Sequence, residues 1–295
     1  MLKIPTAKYQ IFNTESSALK FIKTQVENQW YIKASGLAGG KGAIFAENNK
    51  KAEEAIKQMK DFGNAGKTFL IEECLKGEEF SAFSAVNGKD HILLGFAQDH
   101  KTVFDGNLGP NTGGMGCTSP PKAINRNIKK QVDLIFIKII KGLEHLKRPY
   151  LGVLYLGGMI DSKGKVRIIE FNARWGDPEA QVIIPSIKND LYETVINTIN
   201  GKIKNFKIKK DNLYRIVVTA ASKGYPENYS KVIGKNINGL DKLLKNKNIK
   251  VFGAGLKIVK GKYTVSGGRI FYVLAQGKNM LEASHKVYKA LSKIS

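Results

Sequence analysis

Apolar residues recur along the chain in two alternating rhythms. Leu19, Phe21, Ile22 and Val26 fall at helical spacing over residues 15–26, and Ala52, Ala55, Ile56 and Met59 line one face of a helix over 50–60. Between them, 30–33 and 43–46 predict short strands joined by a glycine-rich loop, 36–42. Further strands are expected at 68–71, 80–86 and 92–96. Residues 99–121 are so rich in Gly, Pro, Asn and Asp that they read as a long ordered loop. A loop of about 20 residues in a compact domain is usually functional or disordered. A long helix comes next over 126–146, with Ile128, Val132, Ile135, Ile139, Leu143 and Leu146 on its apolar side. Strands at 152–160 and 165–171 flank a turn at 161–164, and 191–200 returns to helical period. Strands near 213–221, 249–259 and 269–275 precede a last helix over 279–293.

This alternation makes the class α/β, shading into α+β. The composition shifts at 201–210 (GKIKNFKIKK), the best boundary, and the remaining C-terminal stretch reads as a small α+β domain that closes over something else. The 295 residues are long enough for two domains. Cys74 and Cys117 cannot make a disulfide framework or a four-ligand zinc site and fit a reducing cytoplasm. The opening residues do not read as a signal peptide. The apolar stretch 150–160 is far short of the ~20 residues that span a membrane. A net charge of +23 raises the question of nucleic acid. Only six of the 48 basic residues are Arg, however, and the lysines are spread over the whole length. Lys, Ile and Asn, all with AT-rich codons, make up 95 of 295 residues, so no nucleic-acid partner is expected. The positive surface would still steer anionic substrates.

Four segments carry chemistry. In the first, KASGLAGGKG (33–42), Gly39, Gly40 and Gly42 let the backbone approach a bound group, and Lys33 and Lys41 flank the loop as a polyphosphate requires. It is not a Walker A loop, because Gly42 follows Lys41, and by itself it also fits a flexible glycine turn. In the second, EECLKGEE (72–79), carboxylates end an apolar strand and suit sugar hydroxyls, though a solvated acidic loop is the blander account. The third, QDHK (98–101) together with GPNTGGMG (109–116), is too polar and glycine-dense for core and suits a small polar substrate or a mobile surface loop. In the fourth, EFNARWGDPE (170–179), Glu170 and Asn172 share one side of a strand and offer two hard oxygens for Mg²⁺. Arg174 continues that face if the strand persists and suits a transferring phosphoryl group. Asp177-Pro178-Glu179 would start a helix. The four histidines show no metal-binding or nucleophile-pair spacing.

In this order and spacing the segments resemble an ATP-grasp ligase, and most closely the phosphoribosylamine–glycine ligase family of purine synthesis. The likeness runs through IPTA (4–7), IKASGLAGGKG (32–42), IEECLKGEEFS (71–81), QDHK (98–101), GPNTGGMG (109–116), GVLYLGGM (152–159), EFNARWGDPEAQ (170–181), KGYPENY (223–229) and SGGRIF (266–271). It implies an ATP-grasp core beginning at 1–22, a lid at 23–76, the rest of the core at 77–204 and a C-terminal domain at 205–295. It further implies that Lys33 and Gly39, Gly40, Lys41 and Gly42 hold the ATP phosphates. Glu72, Glu73 and Leu75 would line the adenine pocket, with Glu79 on the ribose. Glu170 and Asn172 would bind Mg²⁺ or Mn²⁺, and Arg174, with Lys33, would carry the catalysis. Asn111, Thr112, Gly113, Gly114 and Asp177 would line the site for glycine and 5-phosphoribosylamine. The family has a Rossmann-like N-terminal domain before IPTA, which would act here as a separate partner. Trp175 stands where Phe is usual, and Gly253 where His is common. Two readings compete: a biotin-carboxylase-like ligase, which GPNTGGMG opposes, and a nucleotide-binding fragment without activity of its own.

Overall fold

The structure, a computed structural model, describes residues 2–38 and 42–295. The chain divides into two compact units. One comprises Pro5–Gly77 and Asp161–Ile169. Its elements are β1 (Tyr9–Phe12), α1 (Glu15–Thr24), β2 (Trp30–Ala34), β3 (Ala43–Ala46), α2 (Asn49–Gln58) and β4 (Phe69–Glu73). The strands form an antiparallel sheet in the order β1-β4-β2-β3. Side chains fix where both helices begin. Thr14 accepts from Ser17 N and Asn48 from Lys51 N, each pairing an amide that a helix start leaves open. Ala18 and Ile22 of α1 and Ala52, Ala55 and Ile56 of α2 pack on Trp30, Ile32, Phe69 and Ile71, alternate positions of the sheet. Val26, expected on the apolar face of the first helix, is 88% exposed, because α1 ends at Thr24.

The other unit holds residues 2–4, Glu78–Ile160 and Glu170–Ser295. In chain order it contains β5 (Glu78–Asn87), β6 (His91–Phe104), β7 (Leu108–Ser119), α3 (Arg126–His145), β8 (Leu151–Ile160) and the end of β9 (Val166–Asn172). After these come α4 (Glu179–Ile183), α5 (Leu191–Ile199), β10 (Tyr214–Ala221), α6 (Leu240–Leu244) and β11 (Ile249–Gly253). The last elements are β12 (Leu256–Val259), β13 (Lys262–Val265), β14 (Arg269–Gly277) and α7 (Met280–Leu291). An eight-stranded sheet runs β11-β14-β10-β7-β6-β5-β8-β9, and β12 and β13 pair separately.

The segment 99–121, expected to be a loop, is mostly strand. β6 and β7 form a long hairpin about a turn at Asp105–Asn107, with His100 opposite Gly116 and Thr102 opposite Asn111. β10 pairs on the other side of β7, Val218 against Gly116 and Arg215 against Ser119. β6 pairs along this arm and β10 pairs with Gly116–Ser119 at its far end, and this pairing outweighs the poor strand propensity of Gly, Asn and Pro. The expected strand over 249–259 is broken, with β11 and β12 pairing in different sheets. β10, β11 and β14 all lie in the same sheet as β5–β8.

In α3 the buried face is Ile128, Val132, Ile135, Phe136 and Ile140. Ile139 and Leu143 are half-buried, while Leu146, beyond the helix end, is exposed. Asn125 caps α3, and at α7 Asn279 accepts from Glu282 N while Glu282 accepts from Lys278 N. Arg215, 2% exposed, grips both oxygens of Asp211 at 2.7 and 2.6 Å and also donates to Pro185 O and Gln276. The hydrogen bond from Arg215 holds Asp211 down at about 2. Breaking such a buried pair costs about 3–5 kcal/mol. Trp175 stacks on Phe83 (5.4 Å, 22°) within the core of this unit, so the larger ring finds a packing partner. Among the described residues no helix is long and apolar enough to cross a membrane.

Candidate active site

In the smaller unit β2 and β3 pair across the glycine-rich loop, Lys33 opposite Ala43, and Ala34 N donates to Gly42 O at 2.7 Å. β2 and β3, on either side of the glycine-rich loop, are therefore hairpin partners. Gly39, Gly40 and Lys41 lie outside the described residues. Antiparallel register puts Tyr31 opposite Glu72, so Lys33, two residues on, meets Glu72 diagonally on the same face. Lys33 Nζ is 2.6 Å from the Glu72 carboxylate and 5.7 Å from the Tyr31 ring centre. Glu73 is turned elsewhere, accepting from Lys8 N at 2.9 Å. Leu75 is half-buried just beyond β4.

In the larger unit Glu79, on β5, pairs with Lys101 of β6. Burial works against the Lys101 charge, yet the Glu79 carboxylate holds it above the usual lysine range. Beside them the Ser81 hydroxyl lies 3.1 Å from both a Glu179 carboxylate oxygen and the Tyr155 hydroxyl, with one proton to give. Glu179 is 5% exposed, and burial pushes its carboxyl up. Asp99 has a fully buried Oδ1 with no hydrogen-bond partner among the described residues. Burial first, then the Glu179 charge, push Asp99 from an ordinary 3.8 up to about 8.

A carboxyl raised in the fold stabilises it while it keeps its proton. That contribution is complete below about pH 4 and is lost as pH rises through about 8. Asp99→Asn cannot ionise. Its melting temperature relative to the unsubstituted protein is expected to rise between pH 6 and pH 9. Melts at the two pH values check this, and a pH-independent difference would contradict it.

The GPNTGGMG segment lies at the turn end of the β6–β7 hairpin. Asn111 is exposed. Thr112 Oγ1 donates to Lys101 O and accepts from Gly114 N, and Thr219 donates to Gly114 O. Close approach and a positive φ require glycine at Gly114, while Gly113 lets a side chain lie against the backbone. A Cβ on Gly114 (φ +116°) would stand 2.4 Å from Pro178, and one on Gly113 2.9 Å from the Arg269 guanidinium carbon. Arg269 Nη1 donates to Gly113 O at 2.6 Å and to Asp177 O at 2.8 Å, and Nη2 reaches Asp177 Oδ2 at 3.2 Å. Tyr272 donates to the same Oδ2 at 2.9 Å, while Gln181 donates to Oδ1 at 2.7 Å. Gly113 N donates to the Tyr225 hydroxyl at 3.0 Å.

At the end of β9 Asn172 Nδ2 donates to Glu170 Oε1 at 2.8 Å, so the two do share one side of the strand. The pairing leaves Glu170 Oε2 and Asn172 Oδ1 as hard oxygen donors on an open strand end. That set fits Mg²⁺, which takes one or two carboxylates and completes its shell with water and phosphate. β9 stops at Asn172, so Arg174 lies beyond the strand, exposed, with Nη1 donating to Trp175 O at 2.9 Å. The helix expected from Asp177-Pro178-Glu179 is α4.

The clusters contain residues that spacing alone did not single out. Lys101 and Asp99 belong to QDHK, a segment read as suiting a small polar substrate with no role given to either residue, while Tyr225 and Arg269 belong to KGYPENY and SGGRIF, quoted only for the resemblance. Tyr272 carried no signal. His91 is structural: its ring bonds Ser84 (2.8 Å), stacks near Phe136 (5.3 Å), and burial lowers its pKa.

The family profile for the ATP-grasp (A) domain of phosphoribosylglycinamide synthetase matches residues 1–180, and that for its C domain matches 215–295. This chain belongs to the phosphoribosylamine–glycine ligase family. It is 38% identical to the phosphoribosylamine–glycine ligase of Leptospira interrogans, over 99% of this chain and 68% of that one. The crystal structure of the Thermotoga maritima ligase superposes with a TM-score of 0.87 at 31% identity, covering 100% of this chain and 73% of that one. The biotin carboxylase domain of a Hydrogenobacter thermophilus 2-oxoglutarate carboxylase matches at TM-score 0.72 and 16% identity, covering 100% of this chain and 63% of that one; that is a likeness of fold. The chain is thus an ATP-grasp ligase that forms a carbon–nitrogen bond.

Proposed function

We propose that the named residues divide the family's reaction among them, joining glycine to 5-phosphoribosylamine in purine synthesis within the cytoplasm. Lys33 and the Gly39–Gly42 loop hold the ATP phosphates, with Glu72, Glu73 and Leu75 at the adenine and Glu79 at the ribose. Lys33 is supported by its ion pair with Glu72, which fixes an ammonium at the base of the glycine hairpin. A glycine carboxylate oxygen attacks the γ-phosphorus, the bond to the bridging oxygen breaks, and ADP leaves. The ribosylamine nitrogen attacks the carbonyl carbon of glycyl phosphate, phosphate leaves, and the nitrogen gives up a proton. The product is glycinamide ribonucleotide. Such chemistry needs positioning and charge neutralisation more than covalent help.

Arg174 meets the charge that develops on the transferring phosphoryl group. Glu170 and Asn172 would hold Mg²⁺ or Mn²⁺, which when bound supplies neutralisation of the phosphates. Asn111, Thr112, Gly113, Gly114 and Asp177 form the glycine and ribosylamine site. The observation that carries this reading is the end of β9, where a carboxylate–amide pair is followed two residues on by an exposed guanidinium.

Asn111→Ala tests the substrate side. It is expected to raise the KM for glycine or ribosylamine by about 10-fold while leaving that for ATP within about twofold. Steady-state titration of each substrate measures it. Unchanged KM values for both would remove the loop from the substrate site.

A further inference from the structure

We infer that Arg269 is a positioning residue, a clamp by which the C-terminal segment sets the geometry of the glycine and ribosylamine site. The inference rests on the reading of Asn111–Gly114 and Asp177 as that site. One guanidinium makes three hydrogen bonds to two segments far apart in sequence: Gly113 O, Asp177 O and Asp177 Oδ2. Tyr225 takes the amide of Gly113, so both backbone polar atoms of that glycine are held by C-terminal side chains. Asp177 is held as well, Oδ1 by Gln181 and Oδ2 by Arg269 and Tyr272. Its carboxylate therefore anchors the loop, whose Asn111 side chain is exposed.

The contact is built for arginine. Gly113 has no Cβ where one would meet the guanidinium carbon at 2.9 Å, so the planar group lies directly against the backbone. A lysine offers one point charge where the arginine fork serves separate acceptors. KGYPENY and SGGRIF thereby gain a role, since Tyr225 and Arg269 are their contributions to the clamp.

The test compares Arg269→Gln, Arg269→Lys, Tyr272→Phe and Asn111→Ala in the full chain. Calorimetry measures glycine affinity in the presence of a non-hydrolysable ATP analogue with Mg²⁺, and affinity for the analogue alone. Hydrogen exchange follows the amides of 109–116. Arg269→Gln loses charge-assisted hydrogen bonds and is expected to weaken glycine binding by roughly 10- to 100-fold and speed exchange at Gly113 and Gly114. Analogue binding should hold within about twofold, with Arg269→Lys intermediate. A purely structural role would move analogue affinity, glycine affinity and melting temperature together. If Arg269→Gln does not fold, Tyr272→Phe, which loses only a hydroxyl, carries the test with a smaller change in the same direction. Weakened glycine binding in Asn111→Ala with none in the clamp variants overturns the clamp alone. No effect in any variant overturns the reading of the loop as well.

Discussion

Arg174→Ala is expected to lower kcat by about 10²–10³-fold, the usual cost of removing one preorganised donor from a developing oxyanion. The KM for ATP should change by less than about threefold. The reason is geometric. Arg174 lies just past the end of β9, is exposed, and gives only Nη1 to the Trp175 carbonyl. That single bond orients the side chain while leaving most of its fork for a ligand. An exposed guanidinium without an ion pair shorter than 4 Å among the described residues contributes little to folding, so the melting temperature should barely move. Steady-state kinetics with Arg174→Ala and Arg174→Lys make the check. A loss below about 10-fold, or one confined to the KM for ATP, would take Arg174 out of the phosphoryl-transfer step.

Glu170→Gln is expected to be nearly as damaging, through the cation. The substitution keeps the shape and the partner Asn172 but removes the negative charge from a two-residue oxygen set. Among the described residues no group of three or more His, Cys, Asp or Glu suited to a metal occurs, so the cation would depend strongly on this one carboxylate. The Mg²⁺ concentration for half-maximal activity should rise at least about 10-fold, and kcat should fall by roughly 10²-fold at saturating metal. Mn²⁺ binding in the presence of ADP, followed by electron paramagnetic resonance, gives a readout independent of turnover. Unchanged Mn²⁺ affinity would contradict the assignment.

Much of the scaffold was legible in the residues. Thr14, Asn48, Asn125 and Asn279 each stand one position before a helix and bond its third amide, a local rule that tertiary packing does not disturb. The pairing of Glu170 with Asn172 followed from the two-residue period of a strand. The hairpin β6–β7 did not follow, because its second arm, LGPNTGGMGCTS, has neither alternation nor β-branched residues before Thr118 apart from Thr112. Its strand character is imposed by β6 along one edge, with β10 on the other edge only at Gly116–Ser119. The small unit's Lys33–Glu72 pair needed register, which sequence spacing does not supply. Arg269 and Tyr225 were hidden for the same reason: each reaches Gly113 across a large sequence separation. The resemblance marked their motifs as belonging to the family without saying what they touch.

The central claim is that this chain activates glycine with ATP and passes it to an amine. The most direct measurement supplies the purified chain with ATP, Mg²⁺, glycine and freshly made 5-phosphoribosylamine, follows ADP, and identifies the product by mass. The expected result is ADP release that requires glycine, with glycinamide ribonucleotide formed in equal amount. ADP formed without glycine, or with bicarbonate in its place, would contradict the claim.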